Sequence, residues 1–205
     1  MLVIVNFQTK RGPMFTERQL EIIQVTMDII VRQGTQKLTI RNVAEAIGVS
    51  EPAVYRHFAS KHALLVSLLE HLQRSIVPVF NTLHSENTSF NHAVETFLHT
   101  LFSNIEANPA YASLVFTEEA FHSDNNLRPL LKDILSGILA KLETAIGRFQ
   151  SNASCRTDLS AHELAKMMLG AIRLTITQWH LEDGESALTL QAQPLARTLS
   201  SLYKP

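Results

Sequence analysis

A single cysteine, Cys155, stands among 205 residues, so the chain can close no disulfide within itself. A reducing cytoplasm suits that composition. The thiol falls in the polar run 151–158 and is expected to be an incidental loop group. Glycine is scarce too, at seven residues. None forms a phosphate-cradling loop and no nucleophile elbow occurs, so the chain is not read as an enzyme. No apolar run approaches the ~20 residues needed to cross a bilayer, and no membrane partner is expected. The apolar opening Met1–Val5 is too short for a signal-peptide core, and no basic residue precedes it. Nine histidines are present, yet none has the Cys/His spacing of a structural zinc site. His92 and His99, on one side of a helix, would lie about 10 Å apart along its axis. No metal or other cofactor is expected.

A large excess of either charge is also missing, the net charge being −1. Its distribution is uneven. Residues 1–75 carry nine Lys/Arg against six Asp/Glu, and residues 76–205 carry nine against thirteen. A mildly basic head on an acidic body suits a protein that touches phosphates with one end only. The recognisable fold begins just after Met14, which is read as an alternative start. The first dozen residues are then an arm from which Lys10 and Arg11 can reach nucleic acid.

What is abundant is helical rhythm. Thr16 and Gln19 make a capping-box start, Leu20, Ile23, Met27 and Ile30 share one face, and Gly34 ends the helix. Thr39 caps a second short helix and Ser50 a third, with Pro52 tolerated in its first turn. Ser60 caps a fourth, whose stripe runs Leu64, Leu65, Leu68, Leu69, Leu72 and Ile76 until Pro78 ends or kinks it. Further helices are expected at about 88–107, 110–122, 127–150, 160–181 and 188–203. No window alternates like a strand. The expected fold is all-α with about nine helices, residues 1–60 forming a head and 61–205 a body.

Residues 38–61 carry the chemistry. Two short helices meet at Gly48, which takes a left-handed turn cheaply, and Ala44 is small enough for their close approach. Val43, Ile47, Val49 and Val54 fill a miniature core. A helix-turn-helix of this kind lays the N-terminal part of its second helix in the DNA major groove. The outward face then holds Glu51, Pro52, Ala53, Tyr55 and Arg56. Arg56 can bridge guanine acceptors or bind phosphate, and Ala53 or Pro52 can meet a thymine methyl. Tyr55 and His57 can donate to phosphate, Lys61 opens a helix whose N-terminus favours phosphate, and Arg41 reaches the groove edge. Ser50, at the helix start, completes the expected DNA-facing set.

The string Gly48-Val-Ser-Glu-Pro-Ala-Val-Tyr-Arg-His-Phe-Ala-Ser-Lys61, with Thr39 and Ala44 before it, resembles the signature of the TetR family of bacterial transcriptional regulators. The resemblance is specific over residues 16–75 and architectural beyond them. It implies base or groove contacts at Arg41, Glu51, Pro52, Ala53 and Tyr55, phosphate contacts at His57 and Lys61, a duplex DNA operator as partner, and a homodimer. Glu51 either accepts from a cytosine amino group or points away.

The helix at 160–181 is apolar on more than one side, as a helix with a partner copy would be. Leu164, Gly170, Ala171, Thr175 and Trp179 are the candidate dimer residues. Phe97, Phe102, Tyr111, Phe116, Phe121 and Met168 are candidates to line an apolar pocket, with Gln178 or His122 orienting a ligand. By the family resemblance such a small apolar effector would tilt the fourth helix and release a repressor from DNA. A second reading, through similarity of the head to nucleoid-occlusion factors of the same family, is an effector-free DNA-binding interaction protein.

Overall fold

The structure, a computed structural model, describes residues 15–34, 37–84, 88–109, 111–112, 127–182 and 184–205. Lys10, Arg11, Met14, Phe116, Phe121, His122 and nearly all of the helix expected at 110–122 lie outside the described residues.

Eight α-helices and two 3₁₀ segments appear among the described residues, and no strand. The head holds α1 (Glu17–Gln33), α2 (Ile40–Ile47) and α3 (Glu51–Tyr55). Thr16 caps α1 in a full capping box with Gln19. Ile22, Ile23, Met27, Ile29 and Ile30 face inward, whereas Leu20 is 40% exposed, correcting its expected place on the inner face. From the head runs α4 (Lys61–Ile76), started by the Ser60 hydroxyl accepting from the Ala63 N–H at 3.0 Å. Pro78 stops it, and the chain continues as a 3₁₀ segment, Val77–His84.

Lys61–Leu83 is long and apolar enough to cross a membrane by length and composition. Its leucines are spent otherwise: Leu64, Leu65, Leu68, Leu69 and Leu72 close the head core, and Val79, Phe80 and Leu83 enter the body core. Burying a side chain of this size contributes about 1.5–3 kcal/mol, which the head core needs.

The body comprises α5 (Phe90–Ala107), α6 (Leu127–Ser151), α7 (Ala161–Leu181) and α8 (Ala192–Leu202). The final helix is shorter than expected, because Leu188–Gln191 forms a separate 3₁₀ segment before it. Tyr111, Leu127 and Ile134 belong to the head's apolar cluster, so the body's near end is packed into the head.

Cys155 lies in the loop after α6, as expected for an incidental thiol, and is 1% exposed. Burial pushes its pKa up, against the opposing influence of Arg156. An inert packing group results.

Candidate nucleic-acid interface

The turn between α2 and α3 is fixed by its backbone. Gly48 sits at φ 75°, ψ 35°, its N–H donating to the Glu45 carbonyl at 3.2 Å while Val49 N–H reaches the Ala44 carbonyl at 2.9 Å. These two bonds are a Schellman motif, which satisfies carbonyls at the end of α2 and needs the left-handed residue between. Val43 and Val54 are fully buried across this corner, with Ile47 and Val49 partly so.

That corner turns one face of α3 outward. Glu51, Pro52 and Tyr55 are exposed, as are Arg56 and His57 just past the helix end, and Ala53 is half-buried. Tyr55 leaves 47% of its surface open. Phe58 is buried beneath, and the Gln19 amide donates to the His57 carbonyl at 3.4 Å, tying the turn after α3 back to α1. Ser50 holds the N-cap position, but its hydroxyl accepts no bond from α3, so its expected capping role is corrected. Lys61 is exposed at the first position of α4. Arg41 is exposed too, its Nε donating to Glu45 at 2.8 Å. The Glu45 carboxylate raises the guanidinium pKa, chiefly through that hydrogen bond. Engaged at Nε, Arg41 still has both terminal nitrogens to present as a fork. The structure therefore gathers Arg41, Ser50, Glu51, Pro52, Ala53, Tyr55, Arg56, His57 and Lys61 in and around one helix-turn-helix. Glu45, which holds Arg41, was not singled out in the sequence, and Gln19 was expected only as the capping-box partner of Thr16. An acid four residues from Arg41 was the available signal for Glu45.

In the body the candidate dimer residues take different surroundings, and Leu164 is the one that is corrected. Leu164 is fully buried in its own chain's core, and Ala171 and Thr175 are partly buried, the Thr175 hydroxyl donating to the Ala171 carbonyl at 2.9 Å. Trp179 is half-buried, its Nε1 donating to the Ser186 carbonyl at 2.8 Å and its ring lying over Gly184, so it clamps a turn of its own chain. The outer face of α7 instead carries Met167, Gly170, Leu174, Gln178 and Leu181, with Leu174 59% and Leu181 77% exposed. Gln178 thus points out with that stripe, which corrects its place as a pocket residue. Gly170 alone of the expected dimer residues lies on it, with open space where a Cβ would be.

Phe97, Phe102 and Met168 fill the body core. Tyr111 lies at the head's edge, its hydroxyl 3.1 Å from Ser75 Oγ and 3.3 Å from His71 Nε2. An apolar cleft lies beside α4, lined by Gln73, Ile76, Phe80, Ile134, Gly137, Ile138 and Lys141.

Comparison with known proteins accords with this geometry. Residues 22–68 match the model of bacterial regulatory proteins of the tetR family, and residues 69–201 match that of the YsiA-like protein C-terminal region. The fatty acid degradation regulator FadR of Bacillus halodurans is similar in structure, with a TM-score of 0.80 and 21% identity over 92% of this chain and 97% of that one. FadR of Bacillus subtilis, solved in complex with stearoyl-CoA, gives 0.76 and 22% over 89% and 97%. Among curated relatives, the nucleoid occlusion factor SlmA of Haemophilus ducreyi is 26% identical over 123 residues, 60% of this chain. The match spans 61% of that relative's length. With one family model on the helix-turn-helix and the other on most of the remaining chain, the protein belongs to the tetR family of bacterial regulatory proteins, with a YsiA-like C-terminal region.

Proposed function

We propose that this chain is a homodimeric, sequence-specific DNA-binding regulator of transcription in the cytoplasm, a repressor released from its operator by a small, mainly apolar ligand. Residues 1–60 read the DNA, and residues 61–205 pair the two copies and take the ligand. The observation that carries the reading is the outward set on and after α3: Glu51, Pro52, Tyr55, Arg56 and His57 exposed above buried Val54 and Phe58. Such a surface spends no side chain on its own core and has the donors to meet base edges and phosphates.

The apolar stripe Met167, Gly170, Leu174 and Leu181 supports pairing through α7, since a two-fold contact places the same stripe of both copies together. The cleft beside α4 is apolar but holds only about 10 Å³, so an apolar effector would have to open it. The similar Bacillus subtilis regulator, solved in complex with stearoyl-CoA, whose acyl chain is long and apolar, lends the effector reading support. A ligand wedged between α4 and α6 would favour a different tilt of α4, and its preference for that tilt is the whole of its leverage on DNA.

Selection of bound duplexes from a random pool tests the reading. The expected product is a two-fold symmetric site whose half-sites lie on one face of the duplex, about one helical turn or a multiple apart. A pool with no enriched sequence would refute it. The similarity to SlmA favours the second reading, an effector-free nucleoid-occlusion type of protein. Thermal melting against apolar and amphipathic compounds separates the two: ligand at ~100 times its dissociation constant stabilises a binder by about 2.7 kcal/mol.

A further inference from the structure

A hydrogen-bonded joint ties the segment after α5 to α4, the helix that leads out of the head. Tyr111, which follows the end of α5, brings its hydroxyl to two side chains of α4 that lie one turn apart, Ser75 Oγ at 3.1 Å and His71 Nε2 at 3.3 Å. Ser75 also donates to the His71 carbonyl at 3.1 Å. From α4 the chain of contacts continues into α1. The His71 ring stands edge-on to Phe15, with centroids 6.1 Å apart, and the Arg74 guanidinium lies 5.2 Å from the Phe15 centroid. A body residue is thereby linked through α4 to the start of α1, and Gln19, four residues on, holds the turn that ends the recognition helix.

We infer that Tyr111 is the positioning residue through which the body sets the angle of α4 and, with it, the head. The hydroxyl suits that work because it can donate toward either partner while accepting from the other. In one sense the protons run from His71 Nε2 to Tyr111 to Ser75 to the His71 carbonyl. In the other they run from Ser75 to Tyr111 to His71 Nε2, and the Ser75 bond to the His71 carbonyl is given up, because the serine hydroxyl has one proton. A neutral imidazole permits both senses; a protonated one permits only the first. Burial, and secondarily Arg74, lowers the His71 pKa, keeping both senses open at neutral pH. Arg74 is the charged group bearing on the imidazole from α4, Tyr111 is the titratable group from the body, and α1 presents the uncharged Phe15 ring. Acid therefore places a second cation beside Arg74 and fixes the joint in one sense.

The assignment deepens the regulator reading, but its test needs neither DNA, ligand nor dimer. Spin labels are placed on Glu51→Cys in the head and Ser201→Cys at the far end of the body, both exposed positions, while native Cys155 is buried. Labelled chains are diluted into an excess of unlabelled chains, so every distance is measured within one chain. Tyr111→Phe keeps the ring and removes the hydroxyl. It is expected to shift or broaden the head-to-body distance and to move the pH at which the His71 imidazole titrates by NMR. His71→Gln keeps a hydrogen-bonding end and is expected to restore the wild-type distance without pH dependence, whereas His71→Leu is not. A Tyr111→Phe distance distribution that superimposes on the wild type, or an unmoved His71 titration, would overturn the inference.

Discussion

Gly48 offers the sharpest test of how the head is built. Its φ of 75° lies in the left-handed region, and nothing stands within 4 Å of the place a Cβ would occupy. Replacement by alanine therefore costs no collision, only backbone conformation. That cost is roughly 1–2 kcal/mol for a residue with a Cβ. Against it, alanine restricts the unfolded chain more than glycine does, returning about 0.4–1 kcal/mol. The net loss is at most about 1.6 kcal/mol, with a midpoint of about 0.8 kcal/mol. At about 2–4 °C per kcal/mol for a chain of this size, Gly48→Ala melts a few degrees lower. Gly48→Asn costs less, because asparagine visits this region more readily. Both Schellman bonds are backbone bonds, so DNA affinity measured well below the melting temperature is nearly unchanged. Paired melting curves of the three proteins decide it. A loss above ~3 kcal/mol, or asparagine costing as much as alanine, would refute conformational strain as the cause.

Other outcomes follow from the same geometry. Lys61→Ala is expected to weaken binding to all duplexes alike and to flatten the salt dependence by about one unit, and a loss confined to one sequence contradicts a phosphate contact. Leu174→Glu puts a charge on the outer stripe of α7 in both copies, forfeiting roughly 1–2 kcal/mol of burial per copy, since 59% of Leu174 is open to be covered; sedimentation should then find monomers, and an intact dimer would place the interface elsewhere. For His71 the sign is set by its lowered pKa, with burial the larger cause. The folded chain binds fewer protons there than the unfolded chain, so this contribution is complete above the ordinary value of 6.5 and declines as pH falls below it. His71→Gln should flatten the fall in melting temperature below that pH, and an equally steep fall would remove His71 as its source.

Local signals carried the head almost entirely. Thr16, Thr39, Gly48, Ser60 and Pro78 act on their immediate neighbours, and each lies at the helix end or turn its chemistry calls for. Ser50 did not follow, since its position is that of a cap but its hydroxyl makes no bond to α3. In the body the outcome depended on which side of α7 meets its own chain. A helix apolar on two sides leaves that choice open in the sequence, and the 3.6-residue repeat fits either. Packing of Leu164, Met168, Ile172 and Ile176 inward settled it, leaving Met167 and Leu174 outside and Gln178 with them. Tyr111 was legible as an aromatic near a helix break and a candidate pocket residue, not as a partner of α4. Its partners His71 and Ser75 lie some forty residues earlier in the chain, a pairing no local pattern encodes.

The central claim is that the surface after Gly48 reads DNA. Titration of Arg56→Ala and Tyr55→Ala against a duplex recovered by selection, at one fixed salt concentration, tests it most directly. Each is expected to bind about 1–3 kcal/mol more weakly than the wild type, with sequence preference relaxed at the contacted position. Wild-type affinity in both would contradict the placement of the recognition helix.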